Sequence, residues 1–234
     1  MLNHAIVDQW LEEYCARVLH LFGERAVFIG CQGSWARGEG SADSDIDAVT
    51  VLDRIGTVDL AAYRDLIREM PYSDKACGLF WSLEELQYHE PRCEVVHLYY
   101  GTKTLHGTMD SITDAPTDAD LVAEIRFRMG NALHAARHYL VFPHDISVKV
   151  DHLYSEYKYA LISLRWWILL TTSVYRARTS DLVTALSNPY DKEVAQVSLH
   201  WKELAQDRSL RPLFYIELLE QWARSLLKRL IETA

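Results

Sequence analysis

Residues 33–47 read Gly33-Ser34-Trp35-Ala36-Arg37-Gly38-Glu39-Gly40-Ser41-Ala42-Asp43-Ser44-Asp45-Ile46-Asp47. This segment combines a Gly-Ser turn, a polar glycine-rich loop and two carboxylates one residue apart. It follows an apolar run at residues 26–29 and precedes the apolar residues Val49 and Val51. We therefore predict one strand before the turn, near residues 26–30, and a second strand after the loop, near residues 46–52.

Asp45 and Asp47 stand at the start of the second predicted strand. Because alternate side chains of a strand share a face, both carboxylates point the same way and Ile46 points to the opposite face. Two carboxylates on one face repel each other unless a cation lies between them. Mg²⁺ takes oxygen ligands and usually combines one or two carboxylates with substrate phosphates. The pair therefore indicates a magnesium site; the alternative for an isolated Asp-x-Asp is a solvated strand end.

The turn before the carboxylates has the residues expected of a phosphate-binding segment. Glycine at position 33 allows the backbone to approach a phosphate closely, and Ser34 can hydrogen-bond a phosphate oxygen. Arg37 adds a cation in the same loop. The order of turn, loop and carboxylate-bearing strand favours binding of a nucleoside triphosphate together with its metal ions.

At these positions the chain resembles the DNA polymerase β-type nucleotidyltransferase superfamily. The fuller signature of that superfamily, Gly-Ser-x-x-Arg-Gly followed by Ser-Asp-x-Asp, is matched by Gly33, Ser34, Arg37, Gly38, Ser44, Asp45 and Asp47. The resemblance covers roughly residues 20–100 and implies transfer of a nucleoside monophosphate to an acceptor, with release of pyrophosphate. It implies that Asp45 and Asp47 are catalytic and hold Mg²⁺. It also implies that ATP is the donor, bound by Gly33, Ser34, Arg37 and Ser44.

The resemblance further implies a third carboxylate on a later strand. Residues 92–100 read Arg-Cys-Glu-Val-Val-His-Leu-Tyr-Tyr, a β-branched and aromatic run of the kind that strands prefer. We therefore predict a strand at residues 94–100 and assign Glu94, near its start, as the third catalytic carboxylate and metal ligand. The sequence leaves open whether Glu94 acts as general base toward the acceptor hydroxyl or only binds metal. Glu84, Glu85 and Glu90 resemble a helix face and its exit and are ranked lower.

Composition limits the kind of protein. The chain has 234 residues, of which 49% are hydrophobic, and its formal net charge is −9. This charge argues against a nucleic-acid duplex as partner, since affinity for duplexes comes largely from neutralising phosphates. The four cysteines show no paired spacing, so neither a zinc site nor a disulfide framework is predicted. With no signal-peptide pattern and no convincing membrane span, we expect a cytoplasmic protein without a membrane partner.

The pattern of apolar residues differs between the two halves of the chain. Strand signals are confined to residues 1–115, whereas residues 116–234 read as successive helices. The predicted fold class is α/β (α+β), with a small mixed-sheet nucleotidyltransferase domain at residues 1–115 and an α-helical bundle domain at residues 116–234. The predicted helices lie before residue 26 and near 59–70, 120–140, 147–176, 180–188, 190–206 and 211–232, and a further short helix is predicted to start at Ser82, with Glu85 in the capping-box position. We predict a loop at residues 101–119.

The helical half favours one branch of the superfamily. A minimal nucleotidyltransferase module would end soon after residue 100, whereas aminoglycoside nucleotidyltransferases of the streptomycin/spectinomycin type carry a helical domain. That branch has a helix with a basic-aromatic segment, similar to Arg165-Trp166-Trp167, which leads to a basic turn. The lysine expected in the turn is absent, with Ser180 near its place, and Arg176 or Arg178 is the candidate phosphate contact. Of these two arginines, we assign Arg178 as the nucleotide-binding residue.

The resemblance thus implies a small-molecule acceptor, with an aminoglycoside antibiotic as the candidate. Two alternatives stay open at the level of sequence. One is a nucleotidyltransferase that modifies a protein partner, such as a toxin or a regulator. The other is a non-catalytic nucleotide-binding protein, which would be expected to have a damaged set of carboxylates. The sequence does not predict the oligomeric state.

Overall fold

The computed structural model describes residues 1–88, 92–142 and 150–233. The chain divides into two compact units, Met1–Thr117 and Asp118–Ala234, whereas the sequence analysis placed the boundary after residue 115. A mixed four-stranded sheet lies in the first unit, and the described part of the second unit is helical. The predicted fold class is confirmed. Glu90 lies outside the described residues.

The first unit contains both helices and strands. Its elements in chain order are α1 (His4–Phe22), β1 (Ala26–Gln32), α2 (Gly33–Ala36), β2 (Ile46–Leu52), α3 (Thr57–Glu69), β3 (Ala76–Ser82), α4 (Leu83–Gln87), α5 (Cys93–Gly101) and β4 (Lys103–His106). The strand order in the sheet is β3-β2-β1-β4. Strand β2 is antiparallel to β1 and parallel to β3, and β4 is antiparallel to β1.

The two faces of the sheet pack against different helices. Ile46, Ala48 and Leu52 of β2 belong to a core that also contains the buried residues of α1 and Leu66 of α3. Val49 and Val51 belong to a second core on the opposite face, with Val95 and Leu98 of α5. Because side chains alternate along a strand, Asp47 lies on the α5 face, in phase with Val49 and Val51.

Several local predictions are confirmed. Strands lie at Ala26–Gln32 and Ile46–Leu52, and α3 ends just before Pro71. The capping box predicted at Ser82 is present: the Ser82 backbone N–H donates to Glu85 Oε2 at 2.7 Å, and Ser82 Oγ accepts from the Glu85 backbone N–H at 3.2 Å. These features depend on residues close together in the sequence, which explains why the sequence predicts them.

The strand predicted at residues 94–100 is wrong, because residues 93–101 form helix α5. Val95 and Leu98 are three positions apart and both pack on the sheet core, which a helix permits and an extended strand does not. The β-branched and aromatic composition of residues 94–100 reflects their burial against the sheet; these residues do not form one of its strands.

Two strands were not predicted. Strand β3 was missed because its composition, Ala-Cys-Gly-Leu-Phe-Trp-Ser, contains a glycine and no clean alternation. Strand β4 lies within the predicted loop at residues 101–119. It has four residues, and its pairing with β1 rather than its composition identifies it.

The second unit is helical throughout its described part. Its helices are α6 (Asp118–Val141), α7 (Tyr154–Thr172), α8 (Thr179–Ala185), α9 (Pro189–Leu199), α10 (Ala205–Leu210) and α11 (Pro212–Thr233), with a 3₁₀ turn at Val150–Leu153. The helix predicted at residues 147–176 is shorter at its end, and its first residues, 147–149, lie outside the described residues. The one predicted at residues 190–206 corresponds to α9 followed by the start of α10. Within the described ranges, no helix is both long and apolar enough to cross a membrane.

Candidate functional site

The Gly-Ser turn and the second carboxylate of the signature are in direct contact. Strand β1 runs into the turn, and its last residue, Gln32, lies opposite Asp47 in the antiparallel pair with β2. Gly33 has φ +71°, and a Cβ at this position would lie 1.8 Å from Asp47 Oδ2. Position 33 therefore needs glycine twice, for its left-handed backbone and for the space that the carboxylate occupies.

Residues 33–36 form the single helical turn α2, which directs the loop away from β1. The Ser34 carbonyl accepts the Glu39 N–H at 2.8 Å, and the Gly33 carbonyl accepts the Arg37 N–H at 3.3 Å. Ser34 is half-buried at the start of this turn. These backbone hydrogen bonds fix the conformation of the turn. Ser34, directly after Gly33, therefore lies at the same end of the sheet as Asp47.

Trp35 anchors the glycine-rich loop. Its side chain is only 6% exposed and makes an edge-to-face contact with the His4 ring of α1, with ring centroids 5.1 Å apart. A Cβ at Gly40 would lie 2.2 Å from the Trp35 ring, so the loop folds directly over this indole. Trp35 and Gly40 are not among the site residues predicted from the sequence. The signal available was a large aromatic residue inside an otherwise polar loop.

Arg37 and Ser44 both make contacts inside the loop. Arg37 Nε donates to Glu39 Oε2 at 2.9 Å, and both side chains are half-buried. Ser44 Oγ accepts the backbone N–H of Ser41 at 3.0 Å. The structure therefore gives Ser44 a loop-closing role directly before Asp45, and contacts of Arg37 and Ser44 with a nucleotide stay predictions.

Asp45 has a basic neighbour that the sequence analysis did not identify. Lys75, the residue before β3, places its Nζ 4.0 Å from Asp45 Oδ1, and Nζ donates to the Asp43 carbonyl at 3.2 Å. In the parallel pair of β2 and β3, Cys77 lies opposite Asp47. Lys75 could not be found from sequence because β3 was not predicted, and only the register of the strand pair brings it to Asp45.

The predicted third carboxylate does not lie on a strand beside Asp47. Glu94 is in the first turn of α5, half-buried. The other end of α5 adjoins the site, because Gln32 Nε2 donates to Thr102 Oγ1 at 3.0 Å directly after the helix. Glu94 precedes Gly101 by 101 − 94 = 7 residues, which corresponds to about 10 Å along the helix axis. The structure thus brings Gly33 up against Asp47, with Ser34 and Asp45 close to them in the chain, and places Glu94 in the first turn of α5 rather than on a strand.

The donor set at this end of the sheet suits Mg²⁺. Asp45 is exposed and Asp47 is half-buried, so carboxylate oxygens reach solvent beside the turn. Two carboxylates completed by phosphate oxygens and water form a common magnesium site. In the part of the chain that the structure describes, no group of three or more His, Cys, Asp or Glu side chains is arranged to hold a metal ion.

Cys31, one residue before the Gln32 that faces Asp47, is a buried thiol. Burial, with a further contribution from the negative charge of Asp47, raises the pKa of Cys31 to about 12. Because the thiolate is the nucleophile and metal ligand, Cys31 is unreactive near neutral pH. It is a packing residue of β1 rather than a chemical participant.

Arg178 belongs to the second unit, at the N-cap position of α8, and is exposed. The turn before it is held by the buried Arg165, whose Nε donates to the Arg176 carbonyl at 2.9 Å. Trp166 is 1% exposed and stacks on Tyr175 with centroids 5.8 Å apart. The basic-aromatic segment therefore builds the core and shapes the turn, while Arg178 presents its guanidinium to solvent.

Comparison with known proteins gives similarity in fold but not in sequence. No protein-family profile matches the chain, and no curated protein matches it in sequence. Among solved structures, it is similar to the crystal structure of spectinomycin adenyltransferase AAD(9) from Enterococcus faecialis with ATP and spectinomycin. The TM-score is 0.53 at 12% sequence identity, and the match covers 92% of this chain and 98% of that chain. The chain therefore shares its fold with that structure over nearly its whole length.

Proposed function

We propose that this protein is a Mg²⁺-dependent nucleotidyltransferase that transfers AMP from ATP to a hydroxyl of a small-molecule acceptor and releases pyrophosphate. The observation that carries the proposal is the contact between Gly33 and Asp47, which joins the two parts of the signature at one end of the sheet. The similarity in fold to a structure that contains ATP and spectinomycin supports ATP as donor.

Asp45 and Asp47 are the proposed metal ligands and catalytic carboxylates. Mg²⁺ bound there would neutralise charge on the triphosphate and on the departing pyrophosphate. Gly33 leaves the backbone open to a phosphate, and Ser34 offers a hydroxyl donor beside it. Arg37 and Ser44 are proposed to complete the nucleotide site from the loop. The proposed reaction forms a bond from the acceptor oxygen to the α-phosphorus and breaks the bond from that phosphorus to the bridging oxygen.

Glu94 and Arg178 have weaker support in this proposal. The resemblance assigns Glu94 as third carboxylate, and that role stays a prediction; Glu94 lies in the first turn of α5 and not on the strand that was predicted for it. Arg178 is proposed as a phosphate contact because it is exposed and follows a turn fixed by Arg165. Substitution of Glu94 or of Arg178, with turnover and nucleotide affinity as the measurements, tests each role.

For the acceptor, we propose an aminoglycoside-type antibiotic. The support is the fold shared with an enzyme whose structure contains spectinomycin, over 92% of this chain. Such an activity would confer antibiotic resistance and would act in the cytoplasm, where ATP and the drug target are found. A hydroxyl-bearing small molecule of another class would use the same transfer chemistry.

A nucleotide-binding protein without turnover is the second candidate. The observation that favours it is that β3, the strand paired in parallel with β2, has Cys77 and not a carboxylate opposite Asp47. Pyrophosphate release separates the two candidates, because a binding protein would bind Mg²⁺–ATP and release none.

The test is an assay of pyrophosphate release with each Mg²⁺-nucleoside triphosphate and a panel of aminoglycosides, with Asp45→Asn as control. We expect release with ATP and at least one acceptor, and none from the variant. Release that requires no acceptor of the panel would remove the aminoglycoside assignment and leave nucleotidyl transfer standing. A wild-type protein that neither binds nor turns over any Mg²⁺-nucleotide would contradict the proposal.

A further inference from the structure

Lys75 is the cation nearest to Asp45 for which the structure gives a contact. Its Nζ lies 4.0 Å from Asp45 Oδ1 and donates to the Asp43 carbonyl at 3.2 Å. The Lys75 side chain is 32% exposed, whereas the Asp45 side chain is 62% exposed. The ammonium is thus held by the loop on one side while its carboxylate partner stays open to solvent.

The register of β2 and β3 explains why Lys75 lies there. Ile46 pairs with Ala76 and Asp47 pairs with Cys77 in the parallel ladder. Lys75 precedes β3 at the level where Asp45 precedes β2. Residues 75–82 contain no carboxylate, so the charged group that this register brings to Asp45 is the Lys75 ammonium.

An ammonium at this position has opposite effects on the binding of the metal ion and on the binding of the nucleoside triphosphate. It competes with a metal ion for Asp45, because like charges near one carboxylate repel each other. A lysine is also a compact, flexible cation that binds phosphate well as a point charge. Bound triphosphate would therefore offer Lys75 a replacement partner when a metal ion takes Asp45.

We propose that Lys75 pairs with Asp45 in the nucleotide-free protein and with a phosphate of the bound nucleoside triphosphate when metal occupies Asp45. The inference rests on the proposed function, which it deepens by adding a nucleotide-binding residue outside the signature. Its consequence is that Lys75 makes metal binding depend on nucleotide: it weakens binding of metal alone and strengthens binding of metal together with nucleotide.

Lys103 provides a matched control. It lies on β4 opposite Cys31, whose side chain belongs to the α1-side core, and its Nζ lies 3.4 Å from Asp8 of α1. Lys103 is therefore a lysine paired with a carboxylate on the opposite face of the same sheet. Lys103→Met removes the same charge from the same unit without touching Asp45.

The experiment is calorimetric titration of the full-length protein with Mn²⁺ alone and with a non-hydrolysable ATP analogue in excess Mg²⁺. We expect Lys75→Met to bind the analogue about 10-fold more weakly than wild type and Mn²⁺ alone several-fold more tightly. Lys75→Arg should keep analogue affinity within about threefold of wild type, since the charge is preserved. Lys103→Met should match wild type with both ligands.

The outcomes separate this inference from the proposed function. If wild type binds the analogue and Lys75→Met binds it equally well, Lys75 is an ordinary ion-pair partner and the inference is overturned. If Mn²⁺ alone binds Lys75→Met no more tightly than wild type, competition at Asp45 is excluded and the inference fails as well. If wild type does not bind the analogue, the proposed function itself fails, and the inference fails with it.

Discussion

Asp47 Oδ2 occupies the space that a Cβ at Gly33 would need, 1.8 Å from the ideal Cβ position. Gly33 directly follows β1 and Asp47 is the second residue of the antiparallel β2, so the two positions are interdependent. This packing fixes the position of the Asp47 carboxylate beside the turn that begins at Gly33. It also gives a means of displacing Asp47 without changing its chemistry.

Gly33→Ala should abolish binding of Mg²⁺–ATP while the protein stays folded. The added methyl group collides with Asp47 and also forces a left-handed backbone on alanine, at a cost of about 1–3 kcal/mol. The control is Gly23→Ala, since Gly23 has φ +58° and no atom within 4 Å of the added Cβ. In thermal unfolding we expect Gly33→Ala to lose at least as much stability as Gly23→Ala, with nucleotide affinity lost only in Gly33→Ala. Equal nucleotide affinity in both variants would contradict the proposed site.

Asp45→Asn and Asp47→Asn should each lower turnover by at least about 100-fold, because the amide removes the charge that holds a metal ion. Asp43→Asn is the matched control: it lies in the same loop, is exposed, and contributes its backbone carbonyl to Lys75. Steady-state pyrophosphate release and circular dichroism of all three variants provide the measurement. Near-normal turnover of either Asp45→Asn or Asp47→Asn would contradict the assignment of these aspartates as catalytic residues.

Glu94→Gln distinguishes a site with two carboxylates from one with three. Because Glu94 lies in the first turn of α5, we expect a loss of turnover below about 10-fold. Glu84→Gln, an exposed substitution on α4, serves as control for the charge change. A loss as deep as that of Asp47→Asn would instead restore Glu94 to the catalytic set, and the pH profile of turnover would then show whether it acts as a base.

Cys77 should report nucleotide binding through its rate of alkylation. It is exposed and lies opposite Asp47, whereas Cys31 is buried and its pKa is raised to about 12 by burial and by Asp47. At pH 8, iodoacetamide should modify Cys77 while Cys31 stays a protonated, unreactive thiol. Mg²⁺–ATP is expected to slow labelling of Cys77 several-fold, as followed by peptide mass spectrometry. An unchanged rate at saturating nucleotide would place the bound nucleotide away from β3.

The sequence by itself determined the local features of this protein. The apolar runs on each side of the signature predicted β1 and β2. That Asp45 and Asp47 share a face stays a prediction, because β2 begins at Ile46 and Asp45 directly precedes it. The capping box at Ser82 and the periodicity after residue 116 predicted helices that the structure contains. Each of these features depends on residues within a few positions of one another, so the physical cause lies inside the segment itself.

Only the tertiary structure decided which residues lie beside the two aspartates. Residues 94–100 have strand composition, yet they form a helix because Val95 and Leu98 bury together on one face of the sheet. Strand β3 pairs with β2 on the side away from β1, and this pairing brings Lys75 and Cys77 to the site. Strand partners and register are set by packing between segments far apart in the chain, which local composition does not encode.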